Sequence, residues 1–264
     1  MTTILKLGGE LLDDQAAIRT AAAAIVRLAA STPLVVVHGG GRAIDAELRA
    51  RGNMPAFVDG LRITDAAALD AVVAVLAGRT NTHLVAAVGA AGGRAIGLTG
   101  ADGRIGLARK AKAFTSVAGE TVDLGLVGQP DGEDASLLTD LLSIGAVPIV
   151  ASIGVSRDGE LLNVNADTIA AHLAARITAD RLIIAGATAG VLDSVGQLIP
   201  ALSLAGIDRM ITSGDAHSGM VAKLTACRAA LAGGVREVAI VSGRGVEDYA
   251  TASGTRIYRE MVTI

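Results

Sequence analysis

Short uninterrupted runs of Val, Ile and Leu alternate along the chain with longer stretches in which apolar residues recur every three to four positions. The runs predict strands at Thr3–Leu7, Leu34–Val37, Arg94–Leu98, Val147–Val150, Arg181–Ala185 and Glu237–Val241. The longer period predicts helices at Asp14–Ala30, Gly41–Arg51, Asp134–Ile144, Ala166–Arg176 and Gly219–Ala232. Asp65–Ala91 also reads as helical, with a break near Gly78–Thr82, and Gly103–Val127 as a hairpin-like excursion. Strands that alternate with helices in this way imply a largely parallel sheet covered on both faces. No repeat or low-complexity tract interrupts the pattern, and the alanine-rich segments suit helices rather than linkers.

Composition narrows the class. Of 264 residues, 51% are hydrophobic and 19% charged, which excludes a disordered chain and suits one large α/β domain or two intimate lobes. Aromatics amount to 2%, and the net charge is -3, so neither stacking nor electrostatics favours nucleic acid or an anionic membrane. The mean hydropathy of +0.52 raises the question of a membrane span. Leu182–Leu192 is uncharged but has 11 residues, short of the roughly 18–20 that a span needs. Met1–Lys6 lacks a basic region followed by an apolar stretch. The expectation is a soluble, cytoplasmic protein. The single Cys227 excludes an internal disulfide and a multi-cysteine zinc site, and its apolar helical context suggests an inert thiol.

Lysine is rare: Lys6, Lys110, Lys112 and Lys223 are the four among 23 basic residues. Lys6 and Lys223 stand in apolar surroundings, where an ammonium on a flexible stem is chemically distinct from a guanidinium fork, although both stems could also snorkel to solvent. Lys110 and Lys112 read as residues of a solvated loop. Glycines cluster where strands end, at Gly8-Gly9, Gly39-Gly40-Gly41, Gly97–Gly103 and Gly186–Gly190. Each cluster alone suits an ordinary turn. Several at one end of a parallel sheet suit an anion, because exposed backbone N–H groups and helix N-termini converge there. The P-loop pattern is absent, and Gly39–Ile44 has Ile where a dinucleotide fingerprint needs its third glycine. His38, His83, His172 and His217 lack metal-ligand spacing, so no metal site is expected. Asn163-Val-Asn165-Ala-Asp167 precedes an apolar helix and, by itself, reads as capping.

Taken in order, Lys6-Leu-Gly-Gly9, His38–Gly41, Gly60-Leu-Arg-Ile-Thr64, Ser152–Val155, Leu162–Asp167 and Gly219–Lys223 resemble the amino-acid kinase family. The likeness runs from Thr3 to about Ala232 and is most specific for the branch that phosphorylates N-acetyl-L-glutamate in arginine biosynthesis. It implies a three-layer αβα sandwich with an open, mainly parallel sheet of about eight strands in two lobes. Residues 1–176 would bind acetylglutamate and dimerise, and residues 177–264 would bind ATP, which carries its own Mg2+. The resemblance implies catalytic roles for Lys6, Asp167 and Lys223. Gly40, Gly41, Arg62 and Asn163 would bind acetylglutamate. Gly8 and Gly9 would donate N–H groups to phosphate. Gly186, Thr188, Gly190, Val191, Leu192, His217, Ser218 and Gly219 would complete the nucleotide site. Three stretches of the implied ATP lobe depart from the family pattern, at Ala185–Asp193, Asp215–Met220 and Ser242–Gly245. The short leader before Lys6 leads us to expect a homodimer without arginine feedback, and nothing indicates a PII-type regulator. Two other readings are a related kinase for carrier-bound aminoadipate and a catalytically silent amino-acid sensor.

Overall fold

The computed structural model describes residues 1–116, 118–216 and 218–260, with the backbone alone at Ser218. The first part of the chain forms β1 (Thr3–Leu7), α1 (Gln15–Ala29), β2 (Leu34–His38), α2 (Gly41–Ala50), and the hairpin β3 (Phe57–Val58) and β4 (Leu61–Arg62). Then come α3 (Ala66–Val73), a π-helical turn (Ala74–Thr80), α4 (Asn81–Ala90) and β5 (Ala95–Thr99). The excursion holds β6 (Ala108–Lys110), β7 (Phe114–Thr115), β8 (Thr121–Val122) and β9 (Val127–Pro130). Next are α5 (Ser136–Ser143), β10 (Val147–Ala151), β11 (Ile153–Val155), β12 (Leu161–Val164) and α6 (Ala166–Arg176). The chain ends with β13 (Arg181–Gly186), β14 (Ala201–Ser203), α7 (Leu204–Ser213), α8 (Ser218–Ala232), β15 (Glu237–Ser242) and β16 (Gly254–Tyr258).

Eight strands form the main sheet in the order β14-β16-β15-β13-β1-β2-β10-β5. It is parallel from β15 to β5, whereas β16 runs antiparallel to β15 and carries β14 with it. Every residue of β1, β2, β10 and β13 is buried, as expected of strands covered on both faces. Because side chains alternate across a strand, Ile4 points with Val35, Leu182 and Ile184 into the core beneath α5–α8. Leu5 and Leu7 point the other way, under α1 and α4. Lys6 shares the face of Ile4, so the sheet itself aims this ammonium at α6.

The fold agrees with the expected sandwich, and the long helix corrects one detail. No break occurs at Gly78. The helix continues from Ala66 to Ala90 through the π turn. Glycine there costs about 1 kcal/mol relative to alanine. Burial of Val75, Leu76, Leu84 and Val88, each worth roughly 1.5–3 kcal/mol, outweighs that cost. The joined helix of 25 residues is long and apolar enough to cross a membrane by those measures alone, which corrects the reading that no run reaches that length. Its apolar side packs against α1 and β5 in the sandwich instead.

Candidate active site

The carboxyl ends of the parallel strands lie along one edge of the sheet, and the glycine clusters follow them there. Close backbone approach explains two of these glycines. A Cβ on Gly9 would sit 2.6 Å from Gly40 Cα, and one on Gly40 would sit 2.7 Å from Leu76 Cδ2. The loops after β1 and β2 therefore touch through bare backbone. Gly41 meets nothing within 4 Å and opens α2 toward a cleft, where a first-turn N–H has no intrahelical acceptor.

This cleft, of about 240 Å3, is lined by Lys6, Gly40, Gly41, Arg62, Asn163 and Asp167 among others. Arg62 is stacked 4.6 Å from the Phe57 ring centroid, lies 2.6 Å from Asp45 through Nη2, and donates from the same nitrogen to the Gly41 carbonyl at 3.3 Å. Its Nη1 is buried without a hydrogen-bond partner. A buried guanidinium held in place with one donor free is suited to bind a carboxylate. Asn163 donates to Thr64 Oγ1 at 3.0 Å, which leaves its amide oxygen for a ligand.

The Asn163–Asp167 stretch divides its work. Asn165 caps α6, accepting from the Asp167 and Thr168 N–H groups at 2.9 and 3.1 Å. Asp167, with the cap already supplied, turns to the lysines. Lys6 Nζ lies 2.8 Å from Oδ1, and Lys223 Nζ lies 3.4 Å from Oδ2. The contact forms because α6 packs along α8, which carries Lys223, while β1 passes beneath. Burial would push the Asp167 carboxyl up, but the charges of Lys6 and Lys223 outweigh it and hold the group below the usual carboxylate range. Two ammonium groups against one carboxylate leave an excess positive charge in a place where Lys6 is only 5% exposed. Such a cluster contributes little to stability, since desolvation offsets attraction. Its charge suits it to receive a further anion.

On the other side of Lys223 opens a second cleft, of about 560 Å3, lined by Thr188, Gly190, Leu192, Gly219, Met210, Met220 and Lys223. Gly219 and Lys223 lie one helical turn apart and share a face of α8. Gly186 ends β13 at the junction of the clefts: a Cβ there would lie 3.2 Å from Glu10 Oε1 and 3.8 Å from Lys223 Cε. Glu10 lines both clefts.

Two of the expected roles need correction. The Gly8 N–H donates to the Ala185 carbonyl at 2.8 Å, because the β1–β13 ladder extends through it, so it does not face a phosphate. Gly8 contributes space instead, as the Glu10 carboxylate folds over it. Val191 is fully buried and its N–H donates to Thr255 Oγ1 at 2.8 Å, which makes it core rather than lining. His217 and the Ser218 side chain lie outside the described residues. Sequence reasoning did not single out Glu10, Asp45, Phe57, Met210 or Met220. The Glu10 position, directly after Gly8-Gly9, is a signal that could have found it.

The histidine before the glycine triplet is scaffold. His38 is fully buried, with Nδ1 3.2 Å from the Gly39 carbonyl and Nε2 3.2 Å from Asn81 Nδ2. Burial pulls its pKa down to about 4, so it stays neutral. Cys227 is buried and its thiol pKa is pushed up, chiefly by desolvation, as expected of an inert thiol.

The sequence and the fold have known counterparts. The family model for the amino acid kinase family matches residues 1–242, and the chain belongs to that family. It is 41% identical over 249 residues to the acetylglutamate kinase of Afipia carboxidovorans, covering 92% of this chain and 84% of the relative. The acetylglutamate kinase of Ruthia magnifica is 38% identical over 245 residues, covering 92% and 82%. Two solved structures share the fold. N-acetylglutamate synthase from Neisseria gonorrhoeae, complexed with coenzyme A and N-acetyl-glutamate, gives a TM-score of 0.83 at 24% identity. That match covers 99% of this chain and 60% of the synthase chain. Giardia carbamate kinase gives 0.68 at 16% identity, covering 98% and 99%.

Proposed function

We propose that the chain transfers the γ-phosphoryl group of ATP to the side-chain carboxylate of N-acetyl-L-glutamate, giving the 5-phosphate and ADP in arginine biosynthesis. The observation that carries this reading is the excess positive charge of Lys6 and Lys223 on Asp167, at the junction of two clefts. The names of the relatives supply the acceptor. Residues 1–176 hold the acceptor and residues 177–264 the nucleotide. In support, apart from Glu10, the described lining of the wider cleft comes from residues 187–223, and that of the narrower one from residues 6–167.

The reacting partners are both anionic, so charge neutralisation and positioning dominate the chemistry. Arg62 Nη1 would take the α-carboxylate, and Asn163 and the Gly41 N–H the rest of the acceptor. This directs the side-chain carboxylate at the lysine pair. A carboxylate oxygen then forms a bond to the γ-phosphorus as the bond to the β,γ-bridging oxygen breaks. Lys6 and Lys223 offset charge on the phosphoryl oxygens from either side, and Asp167 orients both ammonium groups. The attacking carboxylate is already ionised, so no general base is required, in keeping with a neutral, buried His38. Among the described residues no group of three His, Cys, Asp or Glu side chains could hold a metal ion. The donor set therefore fits a cation that arrives on the nucleotide, and Mg2+ bound there would neutralise its phosphates.

The decisive experiment is ADP release with acetylglutamate, glutamate and acetylaminoadipate as acceptors, with hydroxylamine to trap acyl phosphate. Hydroxamate is expected with acetylglutamate alone. Product with acetylaminoadipate instead would move the chain to the related kinase, and no turnover with any acceptor would leave a sensor. The reading also carries a cytoplasmic homodimer, which rests on the resemblance and which sedimentation velocity tests: a monomer or a hexamer would remove it.

A further inference from the structure

We propose that the Glu10 carboxylate is a ligand for the divalent cation that accompanies the nucleotide, and that it makes nucleotide binding depend on that metal. The proposal deepens the kinase reading and rests on it. Glu10 belongs to the 3-10 turn Gly9–Leu11 that follows β1, and it lines both clefts. Its Oε1 accepts from the Ala187 N–H at 2.9 Å, so it ties the loop after β1 to the loop after β13. A Cβ on Gly8 would lie 2.5–2.6 Å from its carboxyl carbon and oxygens, so the carboxylate lies over Gly8 in the space a side chain would take. Gly186 and the Lys223 stem adjoin the same spot.

Among the described residues no cation pairs with Glu10, and its Oε2 has no partner; the two nearby ammonium groups lie on Asp167 instead. The other acids of the wider cleft, Asp193 and Asp215, line that cleft alone, each with one oxygen bound in its own loop, whereas Glu10 lines both clefts. Asp193 Oδ1 accepts from the Val195 and Gln197 N–H groups at 3.0 and 2.8 Å. Asp215 Oδ2 accepts from Ser213 Oγ at 2.6 Å. Glu10 is thus a carboxylate without an ion-pair partner of its own beside the lysine pair, where a triphosphate must meet a carboxylate. Alone it repels the nucleotide. With a hard divalent cation between them, carboxylate and phosphate oxygens become ligands of one ion, the arrangement by which Mg2+ is usually held with one or two carboxylates and substrate phosphates. The sign of the interaction therefore turns on the metal.

Calorimetry with ADP and with a non-hydrolysable ATP analogue, in Mg2+ or in EDTA, tests this on the wild type and Glu10→Gln. Glutamine keeps an acceptor for Ala187 and removes the charge. The wild type should bind the metal complex at least about tenfold tighter than free nucleotide. In Glu10→Gln the ratio should fall to within about twofold, chiefly because free nucleotide binds more tightly. An unchanged ratio overturns the assignment. If the variant fails to fold, the wild type with Mn2+ and nucleotide decides. Hyperfine coupling from isotope-labelled glutamate carboxylate to the manganese supports the ligand, and its absence overturns it. A wild type that binds nucleotide in neither condition overturns the kinase reading beneath, which separates the two failures.

Discussion

The two clefts are built by different means. The narrower one is walled by bare backbone and by side chains each held by a second group: Gly9 against Gly40, Arg62 between Phe57 and Asp45, Asn163 on Thr64. The wider one is walled by loops around residues 187–196 and by Met210, Met220 and Leu192, the last 41% exposed. A fixed guanidinium recognises a carboxylate by direction and charge. Thioethers and an exposed leucine adapt to whatever flat, apolar group lies on them. Selectivity should therefore reside with the acceptor, and tolerance with the nucleotide base.

The largest effect should come from the junction that both clefts share. Lys223→Ala should lower kcat at least about 100-fold, by the loss of one charge-stabilising donor. The affinity for acetylglutamate, measured by calorimetry, should stay within about twofold, since the rigid cleft keeps its walls. Undiminished turnover would take Lys223 out of the mechanism. Next comes Arg62→Lys, which keeps the charge but loses the fork. It should raise KM for acetylglutamate about 10–100-fold and leave nucleotide affinity unchanged. An equal loss in both affinities would erase the contrast between the clefts.

The sandwich, the strand bounds near Lys6 and the whole of α6 were legible in the sequence, because long apolar runs and a polar cap mark them. So was the grouping of Gly40, Gly41, Arg62 and Asn163, which line one cleft, through motifs that resemble a family. The strands β11, β12, β14 and β16 escaped notice. Ile153–Val155 and Leu161–Val164 are too short to announce a period, and their pairing comes from the loops they fasten. In Gly254–Tyr258 the alternation of buried Thr255 and Ile257 with exposed Arg256 and Tyr258 was present, but over too few residues. Glu10 was hidden for another reason: only the return of β13 beside β1 shows that its carboxylate stands between two clefts.

Smaller effects should sharpen the account of the narrow cleft. Gly40→Ala drives a methyl into Leu76 and should cost about 1–3 kcal/mol in thermal or denaturant unfolding, partly recovered by adding Leu76→Ala. Gly41→Ala faces open space and should leave stability within about 0.5 kcal/mol. Equal losses would refute the contact of Gly40 with Leu76. Smallest in ordinary buffers is the contribution of His38. Its folded pKa of about 4 lies below the ordinary histidine value of 6.5, so between these values the unfolded chain takes up a proton that the folded chain refuses. Stability should fall as pH drops through that window, by roughly 3 kcal/mol in full. His172, also lowered by burial and by Arg176, adds in the same direction. Asp167, held below 3.8, loses its share only at lower pH. Unfolding curves of His38→Gln should show a flatter dependence from pH 6.5 to 4, and an unchanged slope would reassign it.

Synthesis imposes an order on this molecule. The strand that carries Lys6 leaves the ribosome well before one of its two neighbours, β13, which is encoded some 178 residues later. Until that segment emerges, a largely apolar strand waits without its mate, and the nascent chain depends on β2 and α1 to shield it. Contacts between such distant segments form slowly. Truncated or stalled chains that end before Arg181 should therefore be sticky, and Lys223 reaches Asp167 only after the still later α8 has been made.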